Sequence, residues 1–302
     1  MNKIIFYILL ILSGIDLFGQ TMPTVSQFDL LPLQYNPGST GNKDALAVGF
    51  KFRKHWTGIE GSPSSQMFCA HAPLKNPKVA LGLVLENENV GATNYTGVFL
   101  NYAYRIPLLN GNLSFGLKGG ITAGSQSSVT LRDGSDPAFN ANSSKFFVPN
   151  FGFGTYYYSK TFWAGFSIPR FFGFESTASG SYKMTHDISR YEYFIAGGGR
   201  LSLTSAIAIE PSALAVLSTV LKPVVTINCV GVFKETFKGG VGFRTNDAVI
   251  INLGYNLNRQ LAIVYCYDIN IGKLSKYTSG SHEINLQYKF GYTVNTSSPR
   301  HF

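Results

Sequence analysis

Residues 281–290 read Ser-His-Glu-Ile-Asn-Leu-Gln-Tyr-Lys-Phe, so Ile284, Leu286, Tyr288 and Phe290 alternate with Glu283, Asn285, Gln287 and Lys289. Successive side chains of a β-strand point to opposite faces, which makes one face of this stretch apolar and the other polar. The same period of two recurs upstream. Val249, Ile251, Leu253, Tyr255 and Leu257 alternate with Asn252, Gly254, Asn256 and Asn258. Leu113, Phe115, Leu117, Ile121 and Ala123 alternate with Ser114, Gly116, Lys118, Gly120 and Thr122, and Val98, Leu100, Tyr102, Tyr104 and Ile106 run around Asn101 and Arg105. About fourteen such segments fit the chain, with 12 or 16 as the alternatives, because bacterial single-chain barrels have even strand numbers. They fall near 45–56, 64–72, 78–87, 95–106, 112–124, 149–158, 161–168, 191–203, 207–217, 223–233, 236–245, 248–257, 260–268 and 281–290. Most are close to the length a tilted strand needs to cross a bilayer.

The connections separate by parity. From the first strand, every second one is short: Pro73–Pro77, Pro107–Gly111, Ser159-Lys160, Thr204–Ala206, Lys234-Glu235 and Asn258-Arg259. The intervening set holds the long ones, Asn89–Asn94, Ser125–Val148, Pro169–Arg190 and Ile269–Gly280. Short turns on one rim and long loops on the other are the mark of an outer-membrane barrel, with the short turns periplasmic and the long loops extracellular. A soluble sandwich has no reason to sort its loops this way. The expected fold is therefore all-β, a transmembrane outer-membrane β-barrel with antiparallel strands and both ends on the periplasmic side.

Composition agrees. Only 14% of the 302 residues are charged, aromatics reach 14%, and the chain holds 32 Gly. Disorder, which needs low hydrophobicity and high net charge, is excluded. Beyond the first residues no stretch is long and apolar enough for a spanning helix. Lys3, the apolar run Ile4–Leu12 and the small Gly19 have the form of a cleaved signal peptide over 1–19. The remaining chain divides into an N-terminal periplasmic or plug segment at 20–44, the barrel at 45–290 and a C-terminal tail at 291–302. The formal charge of +9 is spread evenly and makes no basic stripe for nucleic acid. The Lys51-Phe-Arg53-Lys54-His55 cluster alternates with apolar residues as a strand would. Cys69, Cys229 and Cys266 suggest neither a disulfide framework nor a metal knuckle.

Ser26-Gln27-Phe28, then Tyr35-Asn36-Pro37-Gly38 and Gly41, resemble the N-terminal signature of the PorP/SprF family, outer-membrane proteins of Bacteroidetes type IX secretion and gliding. The resemblance continues through Arg53–Pro63, His71-Ala72-Pro73-Leu74, Asp136-Pro137-Ala138-Phe139 and Pro149–Gly154. It extends to Pro211-Ser212, Arg244 with Asp247-Ala248, Tyr267-Asp268 and Gly280–Ile284. The ordered set covers nearly the whole chain beyond the signal peptide. Gly38-Ser39-Thr40 departs from the usual run at that position. The resemblance implies a non-enzymatic component that supports export or surface anchoring of a specific large secreted protein or adhesin carrying a type IX sorting domain. It also implies a periplasmic peptidoglycan-binding lipoprotein as partner, beside the outer-membrane lipid.

Catalytic, cofactor-binding and metal sites are not expected. The histidines have no metal-ligand spacing, and Gly119-Gly120 and Gly197–Gly199 lack the context of a phosphate loop. Glu86 and Glu88 fall at a rim and read as a solvated strand end. The residues singled out for partner contact are Asn36, Pro37 and Gly38 before the barrel, Trp56, Gly58, Gly61 and Pro63 in the first outward loop, and Asp136, Pro137 and Phe139 in the Ser125–Val148 connection. For the first two groups, plug and turn packing is the competing account. A diffusion porin or small-molecule transporter is the rival function, and it would need an open lumen lined by charge.

Overall fold

The computed structural model describes residues 24–126, 145–176, 182–219 and 222–291. The expected signal peptide, Asp136, Pro137 and Phe139, and nearly all of the expected C-terminal tail lie outside the described residues.

The strands are β1 (Ala47–Lys54), β2 (Ser64–Pro73), β3 (Val79–Val90), β4 (Thr93–Leu108), β5 (Gly111–Gln126), β6 (Lys145–Ser159) and β7 (Phe162–Ile168). There follow β8 (Gly173–Ser176), β9 (Tyr182–Thr185), β10 (Tyr193–Gly199), β11 (Leu201–Ser202), β12 (Ile207–Leu217) and β13 (Val224–Phe233). The last are β14 (Phe237–Arg244), β15 (Ala248–Asn256), β16 (Leu261–Asn270) and β17 (Ser281–Lys289). β8 and β9 form a separate hairpin, and β10 and β11 are one strand interrupted at Arg200. The remainder is a closed antiparallel barrel of fourteen strands.

Each strand pairs with its neighbours in sequence, and the ring closes where β1 meets β17, from Ala47 opposite Lys289 to Lys54 opposite His282. Closure satisfies every ladder and leaves no free edge, which hydrocarbon would not tolerate. The alternation sets which way each row faces. Leu100 is 68% exposed while its neighbours Phe99 and Asn101 are buried in the lumen. A continuous outer surface of Leu, Ile, Val and Phe is an anomaly in water and the normal wall of an outer-membrane barrel. No helix of the described residues is long and apolar enough to cross a membrane.

Two readings change. Asn89–Asn94 is not a long loop: β3 and β4 continue upward, pairing Asn89 with Asn94 and Val90 with Thr93 around Gly91. The ladder absorbs those residues because each rung satisfies two more backbone groups. Tyr156 and Trp163 turn inward, away from the lipid interface. Tyr156 is buried, and the two rings stack at 5.7 Å inside the barrel. Glu86 is not a solvated strand end, since it is ion-paired with Arg170.

The interior is filled by the chain's own N-terminal segment, residues 25–43. Val25, Phe28 and Tyr35 pack with Phe194, Ala196 and Leu214. Leu31 and Leu33 pack with Met67, Cys69, Val84 and Phe99, and Leu30 lies against Ile250, Val264 and Cys266. Each such apolar side chain, removed from water, stabilises the plugged state by about 1.5–3 kcal/mol. The inward apolar row of β12, which has no place in an open aqueous pore, is explained by this packing of Leu214.

Candidate functional site

The plug is held first at Ser26-Gln27. The Ser26 hydroxyl accepts from Arg53 Nη1 and Arg244 Nη2, both at 2.6 Å, and donates to the Asp268 carboxylate at 2.8 Å. Glu283 accepts the backbone N–H groups of Ser26 at 3.1 Å and Gln27 at 3.0 Å. Asn228 donates to Ser26 O at 2.9 Å, and Arg244 Nη2 to Val25 O at 3.0 Å. The charges compensate one another: Arg53 bonds Asp268 at 2.7 Å and Glu283 at 2.9 Å, and Arg244 bonds Asp268 at 2.8 Å. All four charged side chains are at most 1% exposed. Buried charges persist only when paired and fully hydrogen-bonded, and here the plug's backbone supplies part of the pairing.

The second hold is a tight turn. Pro32 and Pro37 each open a short 3-10 turn, where a residue without an N–H costs nothing. Asn36 caps the second: its Oδ1 accepts from Gly38 N at 2.8 Å. The Asn36 amide donates to Thr155 O at 3.0 Å, and Ser167 Oγ donates to Tyr35 O at 2.7 Å. Glycines in the wall make room for this turn. A Cβ on Gly116 would lie 2.2 Å from the Pro37 carbonyl carbon, and one on Gly154 would lie 2.2 Å from Asn36 Oδ1. The wall and the plug are complementary in shape at the level of single atoms.

The third hold is at the short-turn end. Gly41, at φ +77°, gives its N–H to His71 Nδ1 at 2.8 Å and its carbonyl to Arg105 at 3.0 Å. Arg105 also pairs with Asp44 at 2.9 Å. Here burial, and then the nearby Lys289, pulls Lys43 down to about 8, and burial raises the carboxyl of Asp29. The plug thus descends from Ser26, level with the ends of β14, β16 and the start of β17 at the long-connection rim, to Asp44 at the short-turn rim.

Above it the mouth is narrowed. Pro169–Phe172 folds inward, fixed by Asn150, whose Oδ1 accepts from Phe171 N and Phe172 N and whose amide donates to Phe172 O. This brings Arg170 to Glu86. On the rim itself the 55–63 loop is tied to the 271–280 loop: Thr57 N donates to Gly280 O and Ser279 N to Thr57 O, both at 2.7 Å. Gly91 N, at the β3–β4 tip, donates to Gly61 O at 3.0 Å. Gly58 (φ +98°) and Gly61 (φ +70°) adopt left-handed conformations that favour glycine, and Trp56 adopts one at φ +43°. His55 beneath is neutral, held well below the usual imidazole value by burial and then by Arg53 and Arg244.

The residues singled out from sequence therefore separate. Asn36, Pro37 and Gly38 are buried in the lumen, and the side-chain amide of Asn36 donates to the barrel wall. Trp56, Gly58, Gly61 and Pro63 sit together on the outer rim, partly or fully exposed. Charged side chains also face inward, among them Lys51, Arg53, Arg244, Asp268 and Glu283. Sequence reasoning did not single these out as a site. The available signal was their place in the polar row, each charge at an inward position of a strand whose outward row is largely apolar.

Among solved structures, the CymD monoaromatic hydrocarbon channel superposes with a TM-score of 0.51 at 11% identity, covering 93% of this chain and 97% of that one. The Acinetobacter baumannii outer membrane protein Omp33 (TM-score 0.46, 8% identity, 82% and 98% covered) is also similar. So is a Pseudomonas aeruginosa FadL homologue (0.47, 12%, 90% and 96%). At such identities the likeness is one of fold. No curated protein sequence matches the chain. The family profile described as type IX secretion system membrane protein PorP/SprF matches residues 17–288, nearly all of the barrel and its plug. The chain belongs to the PorP/SprF family of type IX secretion system membrane proteins, and its place is the bacterial outer membrane.

Proposed function

We propose that this barrel is a non-enzymatic docking scaffold, whose outer rim receives one specific large secreted or surface protein and supports its export or anchoring. The observation that carries the reading is the plug: residues 25–43 fill the lumen and bond to strands all round the wall. A filled lumen leaves the rims as the working surfaces. The long-connection rim carries the knit of the 55–63 and 271–280 loops and the β8–β9 hairpin, a broad surface suited to a protein partner. On this reading the short-turn rim faces the periplasm, where a peptidoglycan-binding lipoprotein would meet it.

The test is a comparison of cell-surface and medium proteomes with and without the gene. Loss of one large protein from the surface supports the reading and names the cargo. Its location, trapped inside or shed to the medium, separates export from anchoring. An unchanged surface with reduced uptake of a solute would establish the transporter reading instead.

A further inference from the structure

The turns of the short-turn rim present Lys75, Lys78, Lys160, Lys234 and Arg259, all exposed and none in an ion pair among the described residues. The exposed acids at this end, Asp44 and Glu235, are each already paired, with Arg105 and Arg200. These cations lie on the β2–β3, β6–β7, β13–β14 and β15–β16 turns, which the strand order spreads around the whole circumference.

Each of these turns also carries a large apolar side chain facing outward within two residues of a cation: Leu74, Phe162, Phe233 and Leu257. Lys234 Nζ stands 5.3 Å from the Phe233 ring centroid. The cations therefore mark the lower edge of the lipid-facing band, where an aliphatic stem rests on hydrocarbon and an ammonium reaches the headgroups. We infer that this collar binds the phosphate groups of anionic phospholipid in the adjoining leaflet. An acidic protein would approach one sector or cap the mouth. A ring that follows the boundary of the apolar wall matches the annulus of lipid, which is the only partner that surrounds a barrel at that level.

The test uses the full-length barrel in detergent, equilibrated with equal amounts of phosphatidylglycerol and phosphatidylcholine, with counting of the lipids that co-purify. The wild type is expected to retain phosphatidylglycerol about three-fold over phosphatidylcholine at low salt. The K75Q/K78Q/K160Q/K234Q/R259Q variant, verified as folded by its heat-modifiable gel migration, should fall to near parity. K273Q/K276Q, on the opposite rim, should match the wild type. Undiminished enrichment in the five-site variant, or an equal loss in K273Q/K276Q, overturns the proposal. So does a wild type with no lipid preference that binds soluble polyglutamate through the same five residues, which would make the collar a protein-docking surface.

Discussion

Arg53 and Arg244 converge on one oxygen: both guanidinium groups donate to Ser26 Oγ at 2.6 Å, although β15, β16 and β17 separate them in the wall. The plug's hydroxyl is thus the bridge between two buried cations and the carboxylate of Asp268.

Ser26→Ala should loosen the plug at its upper end. It leaves guanidinium N–H groups without their acceptor, at a cost of about 1–3 kcal/mol. Arg53→Met is expected to be worse, about 3–5 kcal/mol, because Asp268 and Glu283 lose their shared counter-charge while still buried. The temperature at which the heat-modifiable band unfolds reports both, and a drop for Ser26→Ala as large as for Arg53→Met would contradict this ranking.

The glycine recesses predict a sealed barrel that can be unsealed. Single-channel recordings of the wild type in planar bilayers should show no large steady current. Gly116→Ala and Gly154→Ala, whose new Cβ atoms would overlap Pro37 and Asn36, should displace the turn and raise conductance or expose residues 25–43 to protease. A wild type that conducts steadily would mean the plug does not close the lumen.

Glu86 and Arg170 hold the inward fold of Pro169–Phe172. Either charge reversal alone, Glu86→Arg or Arg170→Glu, should increase cleavage within the 169–190 loop through like-charge repulsion in a partly buried site. The double exchange should recover at least part of the protection, as a double-mutant cycle requires of a direct pair. No recovery would assign the fold of this segment to Asn150 alone.

Acid should weaken the rim. His55 is buried and accepts from Arg53 Nε at 3.1 Å, so it is neutral in the folded state, with its pKa held below the ordinary ~6.5. A depressed histidine takes up a proton more readily when unfolded. Its contribution is therefore complete above about pH 6.5 and is lost as pH falls toward the folded value. Asp29, raised by burial, acts in the opposite sense over the carboxylate range. Unfolding temperature measured from pH 8 to 5 should fall less steeply in His55→Gln than in the wild type, and parallel slopes would exclude His55 as the cause.

The strands and the sorting of turns and loops were legible in the sequence because both are local. A period of two needs only neighbouring residues, and the length of a connection is a property of consecutive ones. Val249–Leu257 and Glu283–Phe290 declare a wall with one wet face on inspection. Asn89–Asn94 misled for the complementary reason: polar residues with a glycine read as a loop, and the pairing of β3 with β4 overrides that local preference.

What filled the lumen was not legible in that way. The contacts of Ser26 with Asp268 and of Gln27 with Glu283 join residues 242 and 256 positions apart. No periodicity carries information over such a distance. From the chain alone, residues 20–44 could thread the barrel or lie along its rim, and Arg53, Arg244, Asp268 and Glu283 were merely polar positions on four strands. Closing the ring brings those strands to one side of the lumen, where opposite charges without water require each other and the plug's hydrogen-bonding groups. By itself the sequence determined the wall; only the tertiary structure decided that the wall encloses its own N-terminal segment, because burial and charge pairing exist only once the barrel has closed.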